Sequence, residues 1–495
     1  MAIGMPAIPA VARSGDRPRY GLLITGAVLA LAAALLPPAL SAALLGAVGL
    51  GALLLARPVV VLYLLVFTIP FGSVKSLNAG GLNVTITDFL ALCGGAAFLM
   101  RMSIRGRFDV RWAWWAGPLL LYIGVAVLSV TQATSVTLSL KEILKLGEAL
   151  IAYLLALTYV DTPAKLRRLV FLLVVAAVAQ ACYGLLQTFA HAGPASFVRA
   201  GALRASGTFD QPNPFAGFLN FTLPLMLAGV ITGVPIAGRL TRPAALILAA
   251  AVLASGSRGA LLALIAALAV MLLIRVPRAR ILIAVAVVAL FALVAGAVFG
   301  LVPASITTAV LDVFGVSNID IANPTPLDWA TAERLAHQLA GLNMFFAHPL
   351  LGVGIGNYPA VYAHYKLPGP WDPPLGHAHN YYINIAAEAG IVGFIAFMVA
   401  LIAAFVIVAR LYRRAATPWA RAVALGVLGA LVTVVVHNNF DNLFVHEMEA
   451  QFALMVGIAT VACRLETVGS RKSEVSAAWR TLLSTTDYFR LPTSD

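Results

Sequence analysis

Long apolar blocks alternate with short polar breaks along the chain. A bilayer core of about 30 Å needs roughly 20 apolar residues of helix. On that scale the candidate runs are 20–36, 39–56, 59–71, 88–100, 113–130, 142–160, 169–190, 213–233, 243–254, 260–274, 281–302, 381–408, 422–438 and 447–463. The pattern predicts an all-α polytopic membrane protein with about 12–14 transmembrane helices. Runs 59–71 and 243–254 are short enough to be tilted pairs or re-entrant segments. One break far exceeds the others: residues 303–380 are expected to form a large loop containing short helices, and loops of that length tend to be functional. The chain thus divides into N-terminal transmembrane helices (1–302), the loop (303–380), C-terminal transmembrane helices (381–463) and a basic tail (464–495).

Charges in the breaks orient the helices. With a cytoplasmic N-terminus, alternate breaks carry Arg13, Arg17 and Arg19; Arg57; Arg101, Arg105, Arg107 and Arg111; Lys165, Arg167 and Arg168; Arg239 and Arg242; Arg275, Arg278 and Arg280; Arg410, Arg413, Arg414 and Arg421; and the tail from Arg464. These are most of the 33 basic residues, so the positive-inside bias makes that side, both termini included, cytoplasmic in a bacterial inner membrane. It also divides 243–274 into two spans, because Arg242 and Arg275 share a side. The large loop, all eight histidines and most of the acids then fall outside, where ATP and sugar nucleotides are absent. A nucleotide-driven enzyme is excluded on that ground.

Composition adds two exclusions. With 61% hydrophobic and 11% charged residues, against roughly 25% charged in soluble domains, the chain is no water-soluble fold. The net charge of +13 does not imply nucleic acid, since the basic residues sit in short clusters between apolar runs. Cys93, Cys182 and Cys463 lie inside apolar runs with no CxxC pair, and read as small core hydrophobes. The basic lead-in to Tyr20 is followed by successive apolar runs, which suits a first transmembrane helix better than a cleaved signal.

Within the loop, 328–346 has helical spacing, with Leu335, Leu339 and Leu342 on one stripe and Arg334, His337 and Gln338 on other faces. Gly352, Gly354 and Gly356 in HPLLGVGIGNY predict a tight turn, because the third glycine is misplaced for a dinucleotide fingerprint. Pro368, Pro370, Pro373 and Pro374 keep the next stretch extended. It delivers the chain to His377-Ala378-His379-Asn380 at the mouth of run 381–408.

Several residues carry candidate chemistry. His377, His379 and Asn380 sit at a wet boundary and suit proton transfer near neutral pH; interfacial hydrogen bonding, or packing on Tyr381 or Tyr382, is the plainer alternative. A metal pair is weakly signalled, because HxH has no third ligand nearby in sequence. Arg258, in Ser-Gly-Ser-Arg-Gly, stands on the side depleted of positive charge; it grips a phosphate or snorkels to headgroups. Arg204 precedes GTFDQPNP, where Asp210 could pair with it, and Arg334 adjoins Glu333. Lys141, Lys145 and Glu148 share one helical face, and so do Asn384 and Glu388; ionisable groups within spans face a cavity or one another. His437, Asp441, His446, Glu447 and Glu449 crowd the last outer turn, a possible cation site. No DxD pair occurs, so the usual metal–diphosphate carrier of glycosyltransferases is missing.

Three features in order resemble the O-antigen ligase and polymerase superfamily of membrane glycosyltransferases. They are Arg204 with GTFDQPNPFAGFL; Ser257-Arg258-Gly259-Ala260 between two spans; and Arg334 followed by HPLLGVGIGNY and HAHNYYINIAAEAGIVGF, together covering roughly residues 200–400. The resemblance implies transfer of a glycan from an undecaprenyl-diphosphate carrier to an acceptor hydroxyl, without metal, nucleotide or other cofactor. On that basis His379 is the base, with His377 supporting or substituting. Arg258 and Arg204 clamp the diphosphate, and Arg334 orients the loop or the acceptor. The acceptor remains open between a growing glycan, lipid A–core and protein. A reading of another class is a transporter of small anions, with Lys141, Lys145 and Arg258 as its pathway; no inverted repeat supports it.

Overall fold

A computed structural model describes residues 31, 35 and 37–485, apart from 72–75, 80–81, 107–113, 200, 210, 299–301, 304–320, 322–323, 325–328 and 372–375. The first apolar run, the opening of the large loop and Asp210 therefore lie wholly or largely outside the described residues. Two units are distinguished, Met1–Arg57 and Pro58–Asp495. The first contributes helix α1 (Pro38–Ala56).

In the second unit each remaining apolar run becomes one helix. They are α2 (Val59–Phe71), α3 (Ile86–Arg105), α4 (Ala116–Ser129), α5 (Val136–Tyr159), α6 (Pro163–Ala190), α7 (Pro212–Thr232), α8 (Thr241–Ala254), α9 (Arg258–Arg275) and α10 (Ala279–Val298). After the loop helices α11 (Trp329–Ala347) and α12 (Tyr358–Tyr365) come α13 (Tyr381–Arg414), α14 (Pro418–His437) and α15 (Met448–Thr485). Among the described residues two short hairpins are the strand content: β1 (Ser76–Ala79) with β2 (Leu82–Thr85), and β3 (Val198–Arg199) with β4 (Ala202–Leu203). The protein is an all-α, multi-pass membrane protein. Among the described residues seven helices are long and apolar enough to cross a membrane: α3, α6, α7, α9, α13, α14 and α15. Helices α2, α4 and α8 have 13 or 14 residues, or about 20 Å at 1.5 Å per residue, too short to span alone. Apolar runs therefore outnumber full-length spans.

Helix starts follow from local chemistry. Thr-Pro opens both α6 and α14, where the Thr162 and Thr417 side chains accept from backbone N–H groups three residues on and proline fills the first helical position. Small residues then allow close helix packing. A Cβ at Gly426 of α14 would lie 2.5 Å from Leu225 Cα of α7, and one at Gly429 2.5 Å from Met271 Sδ of α9. Asn220 of α7 donates to the Ala260 carbonyl at 2.9 Å, and Thr433 of α14 donates to the Asn220 carbonyl at 3.1 Å. Helix α15 runs on past residue 464 to Thr485.

Helix α13 is broken at Gly390, where φ is +66°. Backbone at membrane depth tolerates a break only when other protein groups satisfy the freed polar atoms. The turn 349–353 does so: Ile391 N–H donates to the Pro349 carbonyl at 2.8 Å, and Val353 N–H donates to the Ala387 carbonyl at 2.9 Å. Gly352, Gly354 and Gly356, at φ +65°, +94° and +76°, form the expected tight turn. Their missing side chains let it press on α13, Ala133 and α5.

The expected leucine stripe of the loop helix is not its buried face. Leu335, Leu339 and Leu342 are half-buried, while Ala332, Ala336, His337, Ala340, Gly341 and Met344 are covered. Small residues win because α11 approaches α13 too closely for leucine; a Cβ at Gly341 would lie 2.8 Å from Ile383. Cys182 is exposed on α6, contrary to its reading as a core residue, and all three cysteines are free.

Candidate active site

The chain enters α13 through a strained turn. Asn380 is its N-cap: its side-chain carbonyl accepts from the Tyr382 and Ile383 N–H groups at 3.0 and 3.1 Å. Asn380 thus fixes the start of α13, and its Nδ2 donates to the Asn439 carbonyl at 3.2 Å. His379 just before it has φ +51°, a region that non-glycine residues rarely occupy. Its N–H donates to His377 Nδ1 at 3.1 Å, so neutral His377 carries its proton on Nε2. The two imidazoles meet edge to face, 4.6 Å between centroids.

Asp441, in the turn between α14 and α15, completes this turn. Its Oδ1 lies 3.2 Å from His379 Nδ1 and 3.9 Å from His377 Nε2. Asn442 N–H also donates to that oxygen at 2.9 Å, and Asn213 Nδ2 donates to Oδ2 at 2.8 Å. Burial alone would raise this carboxyl, but the hydrogen bond from His379 and the charges of His379, His377 and Arg334 hold it well below the usual carboxylate range. His377 is pulled down to about 4, chiefly by burial and then by His379. His379 Nε2 is buried without a hydrogen-bond partner among the described residues.

Asn213 extends the network to an arginine. Its Oδ1 accepts from Arg204 Nη2 at 3.1 Å, and Arg204 Nε donates to the Ser255 carbonyl at 2.6 Å. That carbonyl belongs to the α8–α9 turn, where Gly256 (φ +60°) leads through Ser257 to Arg258, the first residue of α9. Burial, followed by the repulsion of Arg199, Arg334 and Arg258, brings Arg204 down to about 10. Arg258 and Arg334, with Arg199, thus stand near enough to Arg204 to repel its charge. Guanidinium groups held together against their repulsion form a site for a polyanion.

On its other side His377 lines a cavity of about 270 Å³ with Lys141, Lys145, Asn384 and Glu388. The predicted intramembrane groups converge here, with one exception. Lys145 pairs with Glu142 at 2.7 Å, and Glu148 lies outside the cavity lining. Glu148 lies two turns beyond Lys141 on the same face of α5 and is buried.

Sequence reasoning missed three contributors. Asp441 had been grouped with its neighbours in the last outer turn, Asn213 passed as part of a proline-rich helix start, and His337 as one face of a loop helix. His337 is buried, stacks on Tyr362 at 4.9 Å and stands 5.7 Å from His379. His377, His379 and Asp441 each offer one ligand atom, all within 4.8 Å of one another, so a metal ion could be held there. Both Asp441 oxygens, however, already accept hydrogen bonds within the protein.

Residues 243–398 match the family described as O-Antigen ligase. The match covers about a third of the chain, and over that segment the chain resembles O-antigen ligases. The matched O-antigen ligase segment runs from α8 into α13 and contains Arg258, Arg334, His377, His379 and Glu388. Arg204, Asn213, Lys141, Lys145 and Asp441 lie outside it and join the site only through the fold. A search of curated proteins finds no match.

Proposed function

We propose that this O-antigen ligase relative transfers a glycan from an undecaprenyl-diphosphate carrier to an acceptor hydroxyl at the outer face of a bacterial inner membrane. The observation that carries the reading is the buried Asp441–His379 pair beside converging Arg204, Arg258 and Arg334. With Nδ1–H donated to Asp441, the free Nε2 of His379 takes the proton of the attacking hydroxyl. The acceptor oxygen bonds to the anomeric carbon as the bond to the carrier diphosphate breaks. The diphosphate leaves with the electron pair, and its growing charge meets the arginines. No step needs ATP or a metal, since the donor is already activated.

The anion-transport reading is disfavoured by the same cavity. Lys141 and Lys145 line it together with Glu142, Glu388 and Glu449, and Lys145 is held by Glu142 at 2.7 Å. Transfer from purified lipid-linked glycan to lipid A–core, to a second glycan and to protein, each supplied separately, identifies the acceptor. A general base contributes about 10²–10⁴-fold, so His379→Ala should cut transfer by that factor while donor binding survives. Wild-type rates in that variant would overturn the assignment.

A further inference from the structure

We propose that the cavity lined by Glu142, Lys145, Asn384, Glu388 and Glu449 is an acceptor subsite that holds a neutral sugar ring by its hydroxyls. The proposal rests on the glycosyl-transfer reading and adds where the nucleophile lies. Each sugar hydroxyl donates one hydrogen bond and accepts others. The cavity lining matches that demand, because carboxylates only accept, ammonium groups only donate and the Asn384 amide does both.

Glu449 supplies an independent pointer. Its Oε2 is buried without a hydrogen-bond partner among the described residues, and the residue is only 7% exposed. Such an acceptor is costly unless a ligand or water supplies a donor. Rings of Tyr122 and Tyr381 also line the cavity and offer apolar surface to the C–H faces of a sugar. At about 270 Å³ the space suits a single ring, a little below the roughly 300–1,000 Å³ of drug-sized pockets.

Charge separates this subsite from the donor's. Carboxyl groups stand beside the lysines of the cavity, whereas the groups gathered beyond His379 are arginines, which attract a diphosphate. The histidine pair lies between, with His377 lining the cavity and His379 hydrogen-bonded through Asp441 and Asn213 to Arg204. A sugar in the cavity would thus present its hydroxyl from the side opposite the leaving group, as displacement at the anomeric carbon requires.

The test uses the full chain in nanodiscs and saturation-transfer NMR with D-glucose, D-galactose and N-acetyl-D-glucosamine, with inorganic phosphate as the anionic control. At least one sugar should bind. Glu388→Gln and the half-exposed Glu142→Gln should each weaken it about tenfold or more, the loss expected from one hydrogen bond to a charged group. Arg258→Lys should leave sugar binding unchanged. In the transfer assay Glu142→Gln should raise KM for the acceptor and not for the donor. Melting temperatures of the variants separate lost binding from lost folding. If no sugar binds while transfer proceeds, or if both glutamate variants bind sugar as tightly as wild type, the cavity is merely hydrated and the proposal falls. If sugar binds there but no lipid-linked donor is used, the subsite stands and the transferase reading fails.

Discussion

His379 and its carboxylate partner are 62 positions apart in the chain, with a long helix and its return between them. Asp441→Asn keeps the shape of that partner but removes the charge that fixes the imidazole tautomer and offsets the imidazolium. Transfer should fall by about 10²-fold or more, with donor affinity little changed; activity within a few-fold of wild type would show that the carboxylate only packs. Arg258→Lys asks a different question at the same scale. It keeps the charge and loses the planar fork, so turnover should drop substantially even though the net charge is the same. Chelators should leave the wild-type rate intact. Inhibition by EDTA reversed by a divalent cation would mean that His377, His379 and Asp441 hold a metal in the working enzyme.

Among the elements, α13 carries the sharpest demand on sequence. A Cβ at Gly390 would sit 2.2 Å from the Leu350 carbonyl oxygen, at a φ of +66°. With ψ at −168° the backbone lies in a region essentially confined to glycine, which costs other residues about 1–3 kcal/mol, and the overlap adds to it. Gly390→Ala should therefore lower the melting temperature and detach the 349–353 turn, reducing transfer. Gly147→Ala, in α5 with no atom within 4 Å of the added carbon, should be neutral or slightly stabilising. Equal behaviour of the two variants would remove the reason for the break. The close fit of this turn also explains why Gly352, Gly354 and Gly356 were legible as a turn but not as the support of a broken helix.

At the scale of the molecule, sidedness and acid stability are both measurable. Cysteines at exposed Ala192 and Ala347 should react with an impermeant reagent added outside, and one at exposed Ala416 should not, in a background lacking Cys93, Cys182 and Cys463. Reversed labelling would place the candidate site on the cytoplasmic face. His377 and His337 are both held below their ordinary values, chiefly by burial. Between about pH 4 and the unperturbed value near 6.5 the unfolded chain binds protons that folded His377 refuses, so stability rises with pH across that window. The melting temperature in detergent should fall from pH 7 to pH 5, and His377→Gln should flatten the fall. A pH-independent melting temperature would contradict the burial of these imidazoles.

Hydrophobic periodicity by itself determined the helices, because a lipid-exposed backbone must satisfy its own hydrogen bonds and leaves long apolar runs as the record. It also exposed His377, His379, Arg204, Arg258 and Arg334, since polar groups are scarce in such a chain and each stands out. Tertiary structure alone decided what those groups face. Asp441 reaches His379 only because Tyr381 N–H bonds to the Asn438 carbonyl at 2.8 Å, bringing the start of α13 against the end of α14. Lys145 chooses Glu142, three residues away, over Glu148, also three away, because the bundle covers one side of α5 and opens a cavity on the other. Charge and hydropathy are properties of the residue and survive in the sequence. Partnership depends on which distant backbones meet, and only folding sets that.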